Sequence, residues 1–390
     1  MAQYRLAYIA QGKLHLHERD GTPRVLDSEF GDSLRERAFQ IQNRRAWKTR
    51  GFGAQFMRLN ERMQPEADAN DFSIVWTSVA RGCAPGEVLY SLETAEISGV
   101  FAVDSSGSER RLFHTADFRV RDLAAHPDGS GIAVSVSHGG MDANIAVLNG
   151  DGSNLREVSE GDSLDMAPHW DAGPRRRLVF QSAGLGRGST GRLAGRGPFT
   201  IRQLDLESGE LACLAEDPDA DFLGPQLAAD GTLYYVRRPY GNKPPDVNPL
   251  DALQATLMLP FRMAFGILNF LSAFAMLYGG RQQGLTGLQK GDRGAEQIRV
   301  WGETIPVGRT ILEKRGGEAD APSLVPASWQ LMRQSPAGRE VLADGVLSFD
   351  IAPDGAILCS NGRGIHRIAP DGQGIERIFV GDMIEQVAAL

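Results

Sequence analysis

Cysteine is scarce: only Cys83, Cys213 and Cys359 occur in 390 residues. They form no C-x-x-C pair and no even-numbered set, which excludes a disulfide-stapled framework and a cysteine-rich zinc module. A reducing, cytoplasmic setting is therefore expected. An excess of positive charge is missing as well. The formal net charge is −8, whereas proteins built to hold phosphate backbones carry basic surfaces. Nucleic acid is not expected as a partner. The opening MAQYRLAYIAQGKLHLHERDG has no basic stretch followed by an apolar run, so no leader peptide is read there.

Catalytic signatures are also lacking. No serine has glycines at both −2 and +2, the spacing of a nucleophile elbow, and no phosphate-binding G-x-x-x-x-G-K-[ST] loop occurs. Gly186-x-Gly188-x-x-Gly191 matches the dinucleotide fingerprint in letters only, because it lies between two antiparallel strands with no helix to follow. It reads as a loop whose Arg187, Arg192 and Arg196 suit an acidic partner. His15 and His17 share one face of a strand, yet no third ligand is in view, and they read as a surface pair on an outer strand. Asp350 with Asp354, and Asp162 with Asp165, flank turns and read as turn formers. No catalytic, cofactor-binding or metal-binding residue is assigned, and no cofactor is expected.

Glycine, by contrast, is abundant at 46 residues and shows no Gly-X-Y period, which points to many tight turns. The turns punctuate a repeat. Residues 117–159 read as four short strands separated by a Pro-Asp-Gly turn, a Gly turn and an Asp-Gly turn, with Ile132, Val134 and Val136 giving a period of two. Residues 346–382 are nearly a copy. A third unit runs over 165–184 and 197–217, a fourth over 221–238 and 327–345, and a looser one over 72–115. Four strands per repeat of about 40 residues is the signature of a β-propeller. Residues 384–390 resemble the first strand of a further unit, and the N-terminus supplies three more strands, the last of them Pro23-Arg-Val-Leu-Asp-Ser28. The expected fold is all-β: a single six-bladed propeller over 1–390, closed by strands from both termini.

The turns at Pro127-Asp128-Gly129 and Pro353-Asp354-Gly355, with Pro168-His169-Trp170 in the corresponding strand, resemble the repeats of TolB-like propeller proteins. The resemblance covers about 270 residues and implies a six-bladed fold and a binding role. This chain departs from the periplasmic members in showing neither a leader nor a separate N-terminal domain, so their partners are not carried over.

Three stretches interrupt the repeats. Residues 28–66 hold eight Arg/Lys between 34 and 62 against Glu36 and Glu61, with Ser33-Leu-Arg-Glu36 as a capping box opening a helix. Residues 184–197 interrupt the third unit. Residues 241–326 interrupt the fourth and include the apolar run 253–278. From Pro260 to Tyr278 that run is about long enough to cross a bilayer once. A single crossing would put the two halves of one blade on opposite sides, so the run is expected to lie against protein or in a membrane interface. Arg262, Gly266, Asn269 and Ser272 or Ala273 form its narrow polar stripe. By propeller connectivity all three interruptions leave one side of the disc. Arg44, Arg45, Trp47, Phe261, Phe265, Phe270 and Phe274 are the candidate interaction residues, being aromatic or Arg side chains in those elaborated segments.

The resulting expectation is a non-catalytic platform for a protein partner, as a subunit of a larger assembly or a homo-oligomer. Two alternatives stand beside it. One is a peripheral protein docking on an anionic membrane surface, the inner face of the membrane, through 28–66 and 253–278. The other is a hydrolase or lyase with its site in the central channel.

Overall fold

A computed structural model of the chain describes residues 5–18, 23–36, 40, 74–139, 142–173, 175–187, 193–241, 297–300, 303–306, 315–318 and 321–390. The candidate interaction residues Arg44, Arg45, Trp47, Phe261, Phe265, Phe270 and Phe274 lie outside these, as does the apolar run 253–278.

Each repeat folds into a four-stranded antiparallel sheet, and the sheets form a six-bladed propeller. The innermost strands are Val75–Arg81, Arg119–Ala125, Ser163–Trp170, Ala220–Leu227, Ser348–Ile351 and Ile384–Ala389. We number the blades one to six in that order. Blade six takes its inner strand from the C-terminus and its other three from Leu6–Ala10, Lys13–His17 and Arg24–Leu26. The joint runs from Leu6 opposite Ala389 to Ala10 opposite Ile384. The ring is thus closed by hydrogen bonds where the chain itself is discontinuous.

Burial follows strand position. The second strand of blade two, Gly131–Ser137, is buried along its whole length, while the outer strand of blade one, Glu109–Thr115, has no buried residue. A strand with a blade packed on each face reads as continuously apolar, and one at the rim alternates. The core lies between blades. Leu89 and Val100 of blade one pack with Leu123, Ile132 and Val134 of blade two. Trp170 of blade three packs with Ala133 and Ile145 of blade two, and its indole N–H donates to the Ala124 carbonyl at 3.2 Å.

The Pro-Asp-Gly turns form as their chemistry requires. Asp128 Oδ1 accepts from the Ser130 N–H at 2.7 Å, and Gly129 adopts φ 75°. A Cβ at Gly129 would come within 2.5 Å of the Cys83 carbonyl, so glycine is needed both for conformation and for space.

Three expectations need correction. First, the helix in the basic segment covers 29–36 and starts five residues earlier than the Ser33 box suggests. Ser28 is its cap, accepting from the Gly31 N–H at 3.1 Å, while Ser33 Oγ merely donates back to the Phe30 carbonyl. Glu109 on the rim of blade one completes the cap, accepting from the Glu29 and Phe30 N–H groups. A carboxylate there also meets the positive end of the helix. Second, the end of the insertion in blade four packs into the core. Ala321–Pro326 is a strand whose Leu324 and Val325 join the core with Val346 and Phe349. Its Leu324 N–H donates to the Asn361 carbonyl at 2.8 Å. Third, the Gly-rich 184–197 is not a plain loop. The second strand of blade three continues to Arg187 and pairs with Leu193–Arg196.

Candidate functional site

The six inner strands converge on a central channel with a cavity of about 90 Å³. That is room for several ordered waters or a ligand of a few heavy atoms. Every blade contributes to the lining, which includes Arg81, Asp122, His169, Gln226, Asp350 and Gln386. No serine, threonine, cysteine or tyrosine is among the lining residues.

Most of these polar groups serve the ring itself. Ser78 Oγ accepts from the Leu123 N–H at 3.3 Å, Asp122 Oδ2 from Ala167 at 3.1 Å, and Gln181 Oε1 from Gly224 at 2.8 Å. Gln226 Oε1 accepts from Ile351 at 3.0 Å, Asp350 Oδ2 from Ala389 at 2.8 Å, and Gln386 Oε1 from Val79 at 3.0 Å. Each bond passes from one blade to the next, and the sixth returns to the first. Five of the six acceptors stand on inner strands, and Gln181 stands on the second strand of blade three.

The backbone irregularities explain why donors are available. Inner strands slip register between Val120 and Leu123, between Met166 and His169, and between Leu223 and Gln226. Such bulges release an N–H from its own ladder. A buried N–H needs a partner, and the neighbouring blade supplies it. Ala167-Pro168 and Gly224-Pro225 occupy matching places, with Ala167 at φ 50° and Gly224 at φ 56°.

Electrostatics in the channel follow from burial. It pushes the Asp350 carboxyl up to about 6, against the pull of the Ala389 N–H and the Arg81 charge. Asp122 is pushed up in the same way, opposed by the Ala167 N–H and Ser135 hydroxyl. Burial and the nearby Arg81 guanidinium take His169 down to about 4, so its ring is neutral near pH 7. Glu385, at the start of the last inner strand, is raised by burial to about 8.

The sequence reading of several polar residues changes here. Asp354 does form its turn, accepting from the Ala356 N–H, but Asp350 faces the channel and holds blade six. Asp165 is buried and accepts from Ser182 Oγ at 2.7 Å, and Asp162 pairs with Arg187. Arg196 is likewise engaged. With Arg238 it clasps the buried Asp221 carboxylate, at 2.9 Å from each guanidinium. Burial raises the Asp221 carboxyl, and the two arginines and the Phe199 N–H outweigh it, leaving a net lowering. His15 and His17 are not an outer-strand pair: they lie on the third strand of blade six. There His15 stacks on Tyr8 and His17 meets Phe379 edge-on. Among the described residues no group of three His, Cys, Asp or Glu is arranged to hold a metal ion. None of their helices is long and apolar enough to cross a membrane.

The channel's polar lining was missed from sequence because its residues are single letters in separate repeats. The one usable signal was a polar residue inside an otherwise apolar inner strand, as at Asp122, Gln226, Asp350 and Gln386.

No family profile matches the sequence, and no curated protein matches it. Solved structures do. TolB from Acinetobacter baumannii aligns over 99% of this chain and 66% of its own, at 12% identity and a TM-score of 0.50. This chain thus spans about two thirds of that protein. A chain of a nidogen/laminin complex aligns over 99% of this chain and 98% of its own, at 9% identity and a TM-score of 0.50. A Mycobacterium tuberculosis puromycin-hydrolyzing peptidase aligns over 95% of this chain and 41% of its own, at 12% identity and a TM-score of 0.44. At such identities the likeness is one of architecture. This chain has the TolB-like six-bladed β-propeller fold.

Proposed function

We propose that the protein is a non-catalytic binding platform that engages a protein partner, as a subunit of a larger assembly. The observation that carries this reading is where the chain departs from its repeats. The path from Leu26 to Val75 joins two blades, while those from Arg187 to Leu193 and from Pro239 to Gln330 each join the second and third strands of a blade. Both classes of connection leave a propeller on the same side. Connections lengthened at positions of one topological class are how a scaffold presents a recognition surface. The fold is common to binding proteins and, as parts of longer chains, to peptidases.

The test is light scattering after size-exclusion chromatography, comparing the full chain with a version in which 250–281 is replaced by a short Gly/Ser linker. The full chain is expected to associate, and the replaced version to remain a folded monomer. Replacing Arg44 and Arg45 by Glu is expected to weaken that association. A monomeric full chain together with an unfolded replacement would overturn the reading, since 250–281 would then belong to the core. Retention of the full chain on anionic liposomes, lost with R44E/R45E, would favour the membrane surface over a protein partner.

A further inference from the structure

The side of the ring opposite those connections carries the Pro-Asp-Gly turns, and the inner strands end there. Arg81 is the last residue of the first inner strand, exposed at this mouth of the cavity. Among the described residues its side chain makes no ion pair within 4 Å and no hydrogen bond, although the other groups around it are largely committed. Asp122 Oδ2 holds the Ser135 hydroxyl and the Ala167 N–H, and Asp350 Oδ2 holds the Ala389 N–H. Gln226 and Gln386 each bind the adjacent blade through both amide atoms. One further polar atom in the lining is buried without a partner, His169 Nδ1. An unpaired guanidinium and an unpaired imidazole nitrogen therefore share a narrow channel whose remaining polar atoms are mostly satisfied.

Guanidinium presents a planar fork of N–H donors that matches a carboxylate two bonds at a time. The cavity is small, and the two carboxyl groups of Asp122 and Asp350 line it. A dianion entering it would face both at close range, whereas a single negative charge meets less repulsion and gains the Arg81 fork, whose charge also acts on Asp350. We propose that the turn-side mouth of the central channel is a binding site for a singly charged carboxylate, held by the Arg81 guanidinium with the His169 ring as its second polar contact. The same chemistry is offered by a small free carboxylate and by the C-terminus of a peptide chain. This site lies on the side of the ring opposite the proposed platform and stands independently of it.

The experiment is a titration of ¹⁵N-labelled full-length protein, following the His169 ring nitrogens by long-range ¹H–¹⁵N correlation at constant ionic strength. The probes are acetate, inorganic phosphate, trialanine and trialanine amide. Acetate or trialanine is expected to shift the His169 signals saturably, phosphate to bind more weakly, and the amide to leave them unmoved. R81Q is expected to weaken binding about tenfold or more while remaining folded, with any fall in melting temperature confined to pH above about 6, where Arg81 faces the ionised Asp350. R81K is expected to retain part of the affinity. Tighter binding of trialanine than of acetate would identify a chain end as the ligand, and the reverse a small free acid. No saturable shift with either carboxylate, equal affinity in R81Q, or preference for phosphate would overturn the proposal.

Discussion

Gln386 is the residue through which the last inner strand grips the first, and its replacement tests whether the inter-blade bonds contribute to stability. In Gln386→Met the side chain keeps its length and loses both polar atoms. The Val79 N–H, accepted by Oε1 at 3.0 Å, is left without its partner at a residue only 2% exposed. The Ser78 hydroxyl loses the Nε2 donor but keeps the Leu123 N–H. A stranded buried donor costs about 1–3 kcal/mol, and the second bond adds about 0.5–1. The expected loss is therefore about 1.5–4 kcal/mol, read as a lower midpoint in urea at 25 °C with an unchanged slope. Gln226→Met supplies the control. It removes the same kind of bonds, to the Ile351 N–H and the Phe349 carbonyl, at a joint where the chain is covalently continuous. Similar losses in the two variants are expected, because the cost arises from local desolvation. A loss below about 0.5 kcal/mol for Gln386→Met, the size of an ordinary surface change, would refute the reasoning.

Other outcomes follow from the buried charges and caps. Asp350 is raised from 3.8 to about 6, so the folded state disfavours its ionised form. The contribution is fully present below about pH 4 and is lost as the pH rises through 6. Asp350→Asn retains an acceptor for the Ala389 N–H, and is expected to raise stability above pH 6 by up to about 3 kcal/mol. Urea midpoints across pH 4–8 that show no pH-dependent gain would contradict this. Asp221 has the opposite sign: its carboxyl is lowered by Arg196 and Arg238, so its contribution is present above its unfolded value and lost as pH falls through the folded one. Asp221→Asn leaves two guanidiniums facing a neutral group, and denaturation at pH 7 is expected to show a loss of about 3–5 kcal/mol. Ser28→Ala removes the acceptor for the Gly31 N–H, and thermal unfolding should report a loss of about 1 kcal/mol.

Much of the architecture was legible in local sequence. Alternation at Ile132, Val134 and Val136 marks a strand, Pro127-Asp128-Gly129 sets a turn that demands positive φ, and its copy at Pro353-Asp354-Gly355 reveals the period. Where local signals conflicted, tertiary contacts decided. Ser33 and Glu36 have capping-box spacing, yet the helix starts after Ser28 because Glu109, 80 residues away along the chain from Glu29, satisfies its first N–H groups. Arg196 sits in a Gly-rich stretch that reads as loop, and only the folded ring brings Asp221 and Arg238 to it.

The sequence by itself determined the number of blades, their four-strand plan and the closure by both termini, since each of these rests on short-range periodicity and turn chemistry repeated along the chain. Only the tertiary structure decided the chemistry of the channel. Ser78, Asp122, Gln181, Gln226, Asp350 and Gln386 come from six separate blades, and no spacing relates them. Their partners are N–H groups of the neighbouring blade, at Ala167 and Gly224 inside bulges, and the environment that moves Asp350 and His169 exists only once six strands surround one axis.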